Sequence, residues 1–187
     1  MTFPIAAVVY ADGVYPDRLL REVLGPLRDR GLPLAGVLQV EQPPADDCHP
    51  CDMLLEDLAG GEIVALSENR GKHARGCRLD IGVLTELAEA VQSSLQADEP
   101  RLLVVNKFGK IEADGGGLRE AIADAVALGI PVLVGVPMRN LESWRAFSAD
   151  LAVELAPQAA AIERWLDSHR LRAVATPGAR RQLQWAM

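Results

Sequence analysis

Four apolar runs constrain this chain more than any other feature. They are "FPIAAVVYA" (Phe3 to Ala11), "LPLAGVLQV" (Leu32 to Val40), "RLLVVNKFG" (Arg101 to Gly109) and "IPVLVGVP" (Ile130 to Pro137). A strand with one wet face alternates apolar and polar residues. These runs do not alternate, so each strand must be covered on both faces, as in a parallel sheet. The segments between them can supply the covers. Leu19, Leu20, Val23, Leu24 and Leu27 recur at helical spacing, with Asp17 placed to cap the helix. "DIGVLTELAEAVQSSLQ" starts on the capping residue Asp80, and "GLREAIADAVALG" ends on Gly129. Strands alternating with amphipathic helices predict an α/β fold, a mostly parallel sheet flanked by helices.

Smaller elements complete the outline. "DMLLEDLAGGEIVALS" reads as a β-hairpin insertion turning at Gly60-Gly61. "NLESWRAFS" and "PQAAAIERWLDSH" are helical, with "ADLAVELA" between them as an edge strand. Trp144, Phe147 and Trp165 fit a core or a seam between two copies, which leaves a homo-oligomer open. The expected organisation is one domain over residues 1–170 and a C-terminal tail over 171–187.

Bulk charge excludes some partners. There are 26 acidic against 19 basic residues, a net charge of −7. Broad nucleic-acid binding needs a basic face and is not expected. No apolar run approaches the roughly 20 residues that span a bilayer, so no membrane span is expected. No secretory signal is visible at the start, and a cytoplasmic protein is the expectation. Three cysteines make an odd count, which argues against a disulfide framework.

Ligands of parallel α/β sheets bind at the carboxyl ends of strands. The first such end, "VVYADGVYPDRLL" (Val8 to Leu20), has the strand–turn–helix layout of a phosphate loop. A working loop reads G-x-x-x-x-G-K-S/T. Here Tyr10 and Tyr15 fall on the two glycines, Pro16 on the lysine and Asp17 on the hydroxyl. Gly13 alone looks permissive, the carboxylates of Asp12 and Asp17 repel phosphate, and Pro16 has no N–H. The turn is either a remodelled ligand pocket or a plain strand-to-helix connection.

The end of the third run is richer. Asn106 and Lys107 close the strand, and Gly109, Lys110 and Glu112 follow. Lys107 and Lys110 could hold an anion, with Glu112 as catalytic base or orienting group. The alternative is a solvated Lys107–Glu112 ion pair on a glycine-rich loop.

Two further groups carry chemistry. Cys48, Cys51, His73 and Cys77 have C-x-x-C and H-x-x-x-C spacing and could form a metal site. Cys51 and Cys77 could instead be small apolar groups beside the hairpin. The stretch "ENRGKHARGCRLD" concentrates basic residues inside an acidic chain. Arg78 is the one chosen from it as an anion ligand, against the reading of a solvated turn.

"NKFGKIE" resembles the D-E-I-G-K-M-E segment of the nucleoside-triphosphatase family first described from thermophiles. "GVLQVEQ" and "GCRLDIGVLTEL" resemble its neighbouring segments, over about residues 4–140. In that comparison Asn106 replaces the magnesium-side aspartate and Lys107 the glutamate that activates water, while Gly109, Lys110 and Glu112 match. More closely, the whole chain resembles a bacterial family known as domain of unknown function 2478. Its N-K-F-G-K-x-E-x-x-G-x-G-L-R run is Asn106 to Arg119 here, its G-C-R-L-D run is Gly76 to Asp80, and its cysteine before Asp57-Leu58 is Cys51. The resemblance implies a degenerate P-loop fold and a link to molybdenum uptake.

The expected function is therefore binding of a small anion, a nucleotide or an oxyanion, with little or no hydrolysis. The expected ligand residues are Asp12, Gly13, Asn106, Lys107, Lys110 and Arg78. A phosphohydrolase built on Glu112 and a metal protein built on the cysteines are the alternatives. The sequence names no cofactor, and magnesium bound by the usual route is not expected.

Overall fold

Each of the four apolar runs forms a strand of one sheet, in a computed structural model that describes residues 3–40, 53–66 and 79–172. β1 (Ile5–Tyr10) leads into α1 (Asp17–Asp29), and β2 (Leu34–Gln39) follows. β3 (Leu54–Asp57) and β4 (Ile63–Ala65) form the hairpin, antiparallel to each other, with β3 antiparallel to β2. Then come α2 (Ile81–Ala97), β5 (Leu102–Val105), the short α3 (Lys110–Ala113), α4 (Arg119–Ala127) and β6 (Val132–Pro137). α5 (Leu141–Ser148), β7 (Ala152–Leu155) and α6 (Ala159–Ser168) complete the described chain. The strand order is β4-β3-β2-β5-β6-β1-β7, and the pairs from β2 across to β7 are parallel.

The absence of alternation in the strands has the expected cause. Leu103 and Val105 pack towards α2 and α4, where Leu87, Val91, Ile122 and Ala125 cover them. Leu102 and Val104 pack on the opposite face with Leu20, Leu24 and Leu27 of α1 and Ile162 and Leu166 of α6. Each strand residue therefore leaves water whichever way it points, and each buried aliphatic side chain contributes about 1.5–3 kcal/mol. Trp144 and Trp165 belong to these cores, one on each face.

Local details differ from the sequence reading in three places. Asp17 is the first residue of α1 rather than its cap, and Pro16 stands at the cap position. The Asp17 carboxylate accepts the backbone N–H of Gln39 at the end of β2 (3.3 Å), and the side chain is buried. Asp80 does cap α2, accepting the amides of Gly82 and Val83. α3 escaped the sequence reading because four residues are too few to show a helical period. Leu171 is buried with the α1–α6 core, so the packed unit runs past residue 170 into the segment assigned to the tail.

Gly36 is the tightest point of the sheet. It lies within β2 at φ +98°, and a side chain there would overlap the Val104 carbonyl of β5. Only glycine meets both conditions, since a residue with Cβ is strained at this φ even in open space. Gly36→Ala should lower stability by more than about 3 kcal/mol, combining backbone strain with a forced shift of β5. Urea denaturation measures this, and an unchanged midpoint would contradict it.

Candidate functional site

β1, β6 and β5 are neighbours running in parallel, so their carboxyl ends open on one edge. Tyr10 is level with Pro137, and Val105 with Val134. Three segments therefore meet: Ala11–Pro16, Asn106–Phe108 and Met138–Asn140. The middle one is held rigidly. Phe108 is fully buried, its ring against Trp144 (centroids 5.1 Å apart) and stacked on Phe147 (5.7 Å). Its N–H donates to the Gly135 carbonyl (2.7 Å), and its own carbonyl accepts from the Asn140 side-chain amide (2.8 Å). Lys107 precedes this anchor, and Asn106 beside it is buried.

The charges here are mixed and close. Arg139 donates to Asp12 (2.6 Å) across the edge, joining the β6 and β1 loops. Lys107 Nζ lies 5.8 Å from the Tyr15 ring centroid. Among the described residues it makes no ion pair within 4.0 Å. Burial, then Arg139, push its ammonium below the ordinary lysine range, against the pull of Glu112, Asp17 and Asp12. Burial pushes the Asp17 carboxyl up, against the Gln39 amide. The Tyr10 phenol is also pushed up, first by burial and then by Asp17.

The first segment offers a phosphate fewer donors than a working loop does. Gly13 sits at φ +84°, and the Val14 N–H is spent on the Ala11 carbonyl (3.1 Å). Pro16 has no N–H to give. The start of α1 already carries a buried carboxylate of its own in Asp17, which satisfies the positive end of the helix dipole.

Glu112 organises the loop that follows. One carboxylate oxygen accepts the Gly109 amide (2.8 Å) and the other the Leu118 amide (3.2 Å), and the side chain is buried. Two glycines of this stretch, Gly109 and Gly117, lie against that carboxylate. A side chain at Gly117, which sits at φ +58°, would occupy the place of a Glu112 oxygen. Arg119 closes the turn by donating to the Glu112 carbonyl (3.3 Å) and lying over the Phe147 ring (4.4 Å).

The structure thus brings Asp12, Gly13, Asn106 and Lys107 to one edge. Lys110 is exposed on the first turn of α3, and Glu112 faces inward to backbone amides. Arg78 and the expected metal set Cys48, Cys51, His73 and Cys77 lie outside the described residues. Among the described residues no cluster of three or more His, Cys, Asp or Glu is arranged to hold a metal, and no helix is long and apolar enough to cross a membrane. Sequence reasoning missed Arg139 and Tyr10. Arg139 could have been found as the first basic residue beyond the β6 end, whereas a tyrosine inside an apolar run gives no such signal.

Residues 5–165 match the model of the family described as "Protein of unknown function (DUF2478)". The chain belongs to that family. Molybdenum import ATP-binding protein ModC 2 of Bradyrhizobium diazoefficiens is 34% identical over 161 residues. That match takes in 86% of this chain but 18% of the relative. In fold, this member of the family is similar to the crystal structure of THEP1 from the hyperthermophile Aquifex aeolicus. The TM-score is 0.61 at 14% identity, covering 88% of this chain and 95% of that one. It is also similar to the solution structure of a human cancer-related nucleoside triphosphatase, with a TM-score of 0.57 at 17% identity, covering 83% and 88%. The chain shares the fold of these two structures.

Glu112→Gln replaces one of two amide-accepting oxygens with a donor facing a donor. The loss should be about 1–3 kcal/mol of stability, the cost of leaving a buried N–H unpaired. Chemical denaturation of the variant tests it, and wild-type stability would show that the carboxylate does not brace the loop.

Proposed function

We infer that this protein binds a small anion, a nucleotide or an oxyanion, at the edge formed by β1, β5 and β6, and does not turn over phosphoanhydrides. The observation that carries this reading is Lys107. A half-buried ammonium with no ion pair among the described residues is unfavourable unless something else gains from it. Phe108 fixes its backbone at this edge. A bound anion supplies the missing charge.

The rest of the edge supports binding without hydrolysis. A magnesium–triphosphate site needs a cation grip in the loop, free amides around the phosphates and an acidic metal ligand. Here Pro16 stands for the grip, one loop amide is already bonded, and Asn106 stands where an acid is expected. Asp12 is tied to Arg139, and Glu112 to two amides. These donors do not fit a magnesium-bound triphosphate. Hydrolysis through Glu112 is disfavoured for the same reason, since a base needs a free oxygen facing the substrate. Among the described residues Lys107 and Arg139 balance Asp12 and Asp17, which favours an anion of low charge. The kinship with part of a molybdenum import ATP-binding protein places molybdate on the list of anions to test, in an accessory or regulatory role.

Isothermal titration with molybdate, inorganic phosphate, sulfate, AMP and ATP is the direct experiment. We expect one of these to bind, and Lys107→Met to weaken it on the order of ten-fold or more, as removing a charged hydrogen-bond donor does. The same variant should be at least as stable as the wild type, because it removes a desolvated charge. Equal affinity in the variant, or silence of the wild type across the panel, would contradict the reading.

A further inference from the structure

One group near the edge has no partner among the described residues. The Tyr10 hydroxyl is buried, in a residue 2% exposed, and no hydrogen-bond partner for it stands among the described residues. A buried hydroxyl left unpaired costs about 1–3 kcal/mol, and phenylalanine would fill the same space without that cost. Its ring is also given room at the expense of a neighbour. A side chain on Gly135 would meet Tyr10 Cε1 at 3.3 Å as well as overlapping the Asn106 carbonyl. The charged groups that act on the phenol are Asp17, Arg139 and Asp12, and Tyr15 stands beside it at 6.4 Å between ring centroids. Three of these are residues of the edge already described, and Asp17 opens α1 beside it.

We propose that the Tyr10 hydroxyl is a binding donor of the anion site, covered in the free protein by the loop Ala11–Tyr15 and uncovered when the anion displaces Asp12 from Arg139. The proposal rests on the anion-binding reading above and adds the donor and the latch. The loop is exposed throughout. What ties it across the edge is the Arg139–Asp12 pair, whose side chains are 47% and 48% exposed. An ion pair that wet contributes roughly 0–1 kcal/mol, so an incoming oxyanion competes with Asp12 for Arg139 at little cost. Asp12 then swings out, the loop yields, and an oxyanion oxygen reaches the phenol while Lys107 neutralises the charge. The recognised chemistry is an oxyanion oxygen, and inorganic and nucleotide sources share it.

The test is titration of wild type, Tyr10→Phe and Asp12→Asn with molybdate, inorganic phosphate and AMP, which separate an inorganic oxyanion from a nucleotide phosphate. For whichever probe the wild type binds, Tyr10→Phe should bind on the order of ten-fold more weakly while melting no lower. Asp12→Asn should bind several-fold more tightly, having lost both latch and repulsion. Wild-type protein carrying tyrosine labelled at Cζ gives a readout independent of mutation, since the Tyr10 carbon signal should shift at saturation. If the wild type binds and Tyr10→Phe matches it, or the Tyr10 signal stays still, the donor role is overturned and the anion site stands. Asp12→Asn binding no better than wild type overturns the latch. No binding by the wild type to any probe overturns both this proposal and the reading beneath it.

Discussion

The candidate site depends on the burial of Phe108. Its ring sits between Trp144 and Phe147, and its backbone is bonded to β6 on one side and to Asn140 on the other. Aromatic contacts of this kind are worth about 0.5–1.5 kcal/mol beyond the area they bury. That anchor fixes where β5 ends, and so where Lys107 emerges. Without it, a lysine whose charge is disfavoured by burial and by Arg139 would relax into solvent, and the edge would keep only Arg139, already paired with Asp12.

A second constraint complements the first. A triphosphatase of this fold gives its helix dipole and loop amides to a phosphate. In this chain a carboxylate, Asp17, stands at the start of α1, and one loop amide, that of Val14, is bonded to the Ala11 carbonyl. The cations of this edge, Lys107 and Arg139, stand just past the ends of β5 and β6. On the proposed reading an anion is bound by these cations, while in-line phosphoryl transfer lacks both a metal ligand and a cation grip in the loop.

Much of the fold was legible because hydrophobic periodicity is a strong signal. Non-alternating runs read as doubly covered strands, and Gly60-Gly61 as a hairpin turn. The site was only partly legible. Lys107 and Asn106 stood out because polar residues ending an apolar strand are conspicuous. The meaning of "GKIEADGGG" was not readable, because Gly109 and Gly117 answer to a carboxylate folded back on them, and that contact appears only in three dimensions. Asp17 looked like a cap, since the amide it accepts belongs to β2, brought beside it by topology. Tyr10 was invisible for the opposite reason: inside an apolar run a tyrosine reads as core, and only the missing partner marks its hydroxyl.

The central claim is that the fold retains an anion-binding edge and has lost phosphoanhydride cleavage. The most direct measurement is phosphate release from ATP and GTP by the purified protein with excess magnesium, at protein concentrations high enough to see slow turnover. The account predicts release no faster than in buffer alone. Brisk, magnesium-dependent release that persists over many turnovers would contradict it.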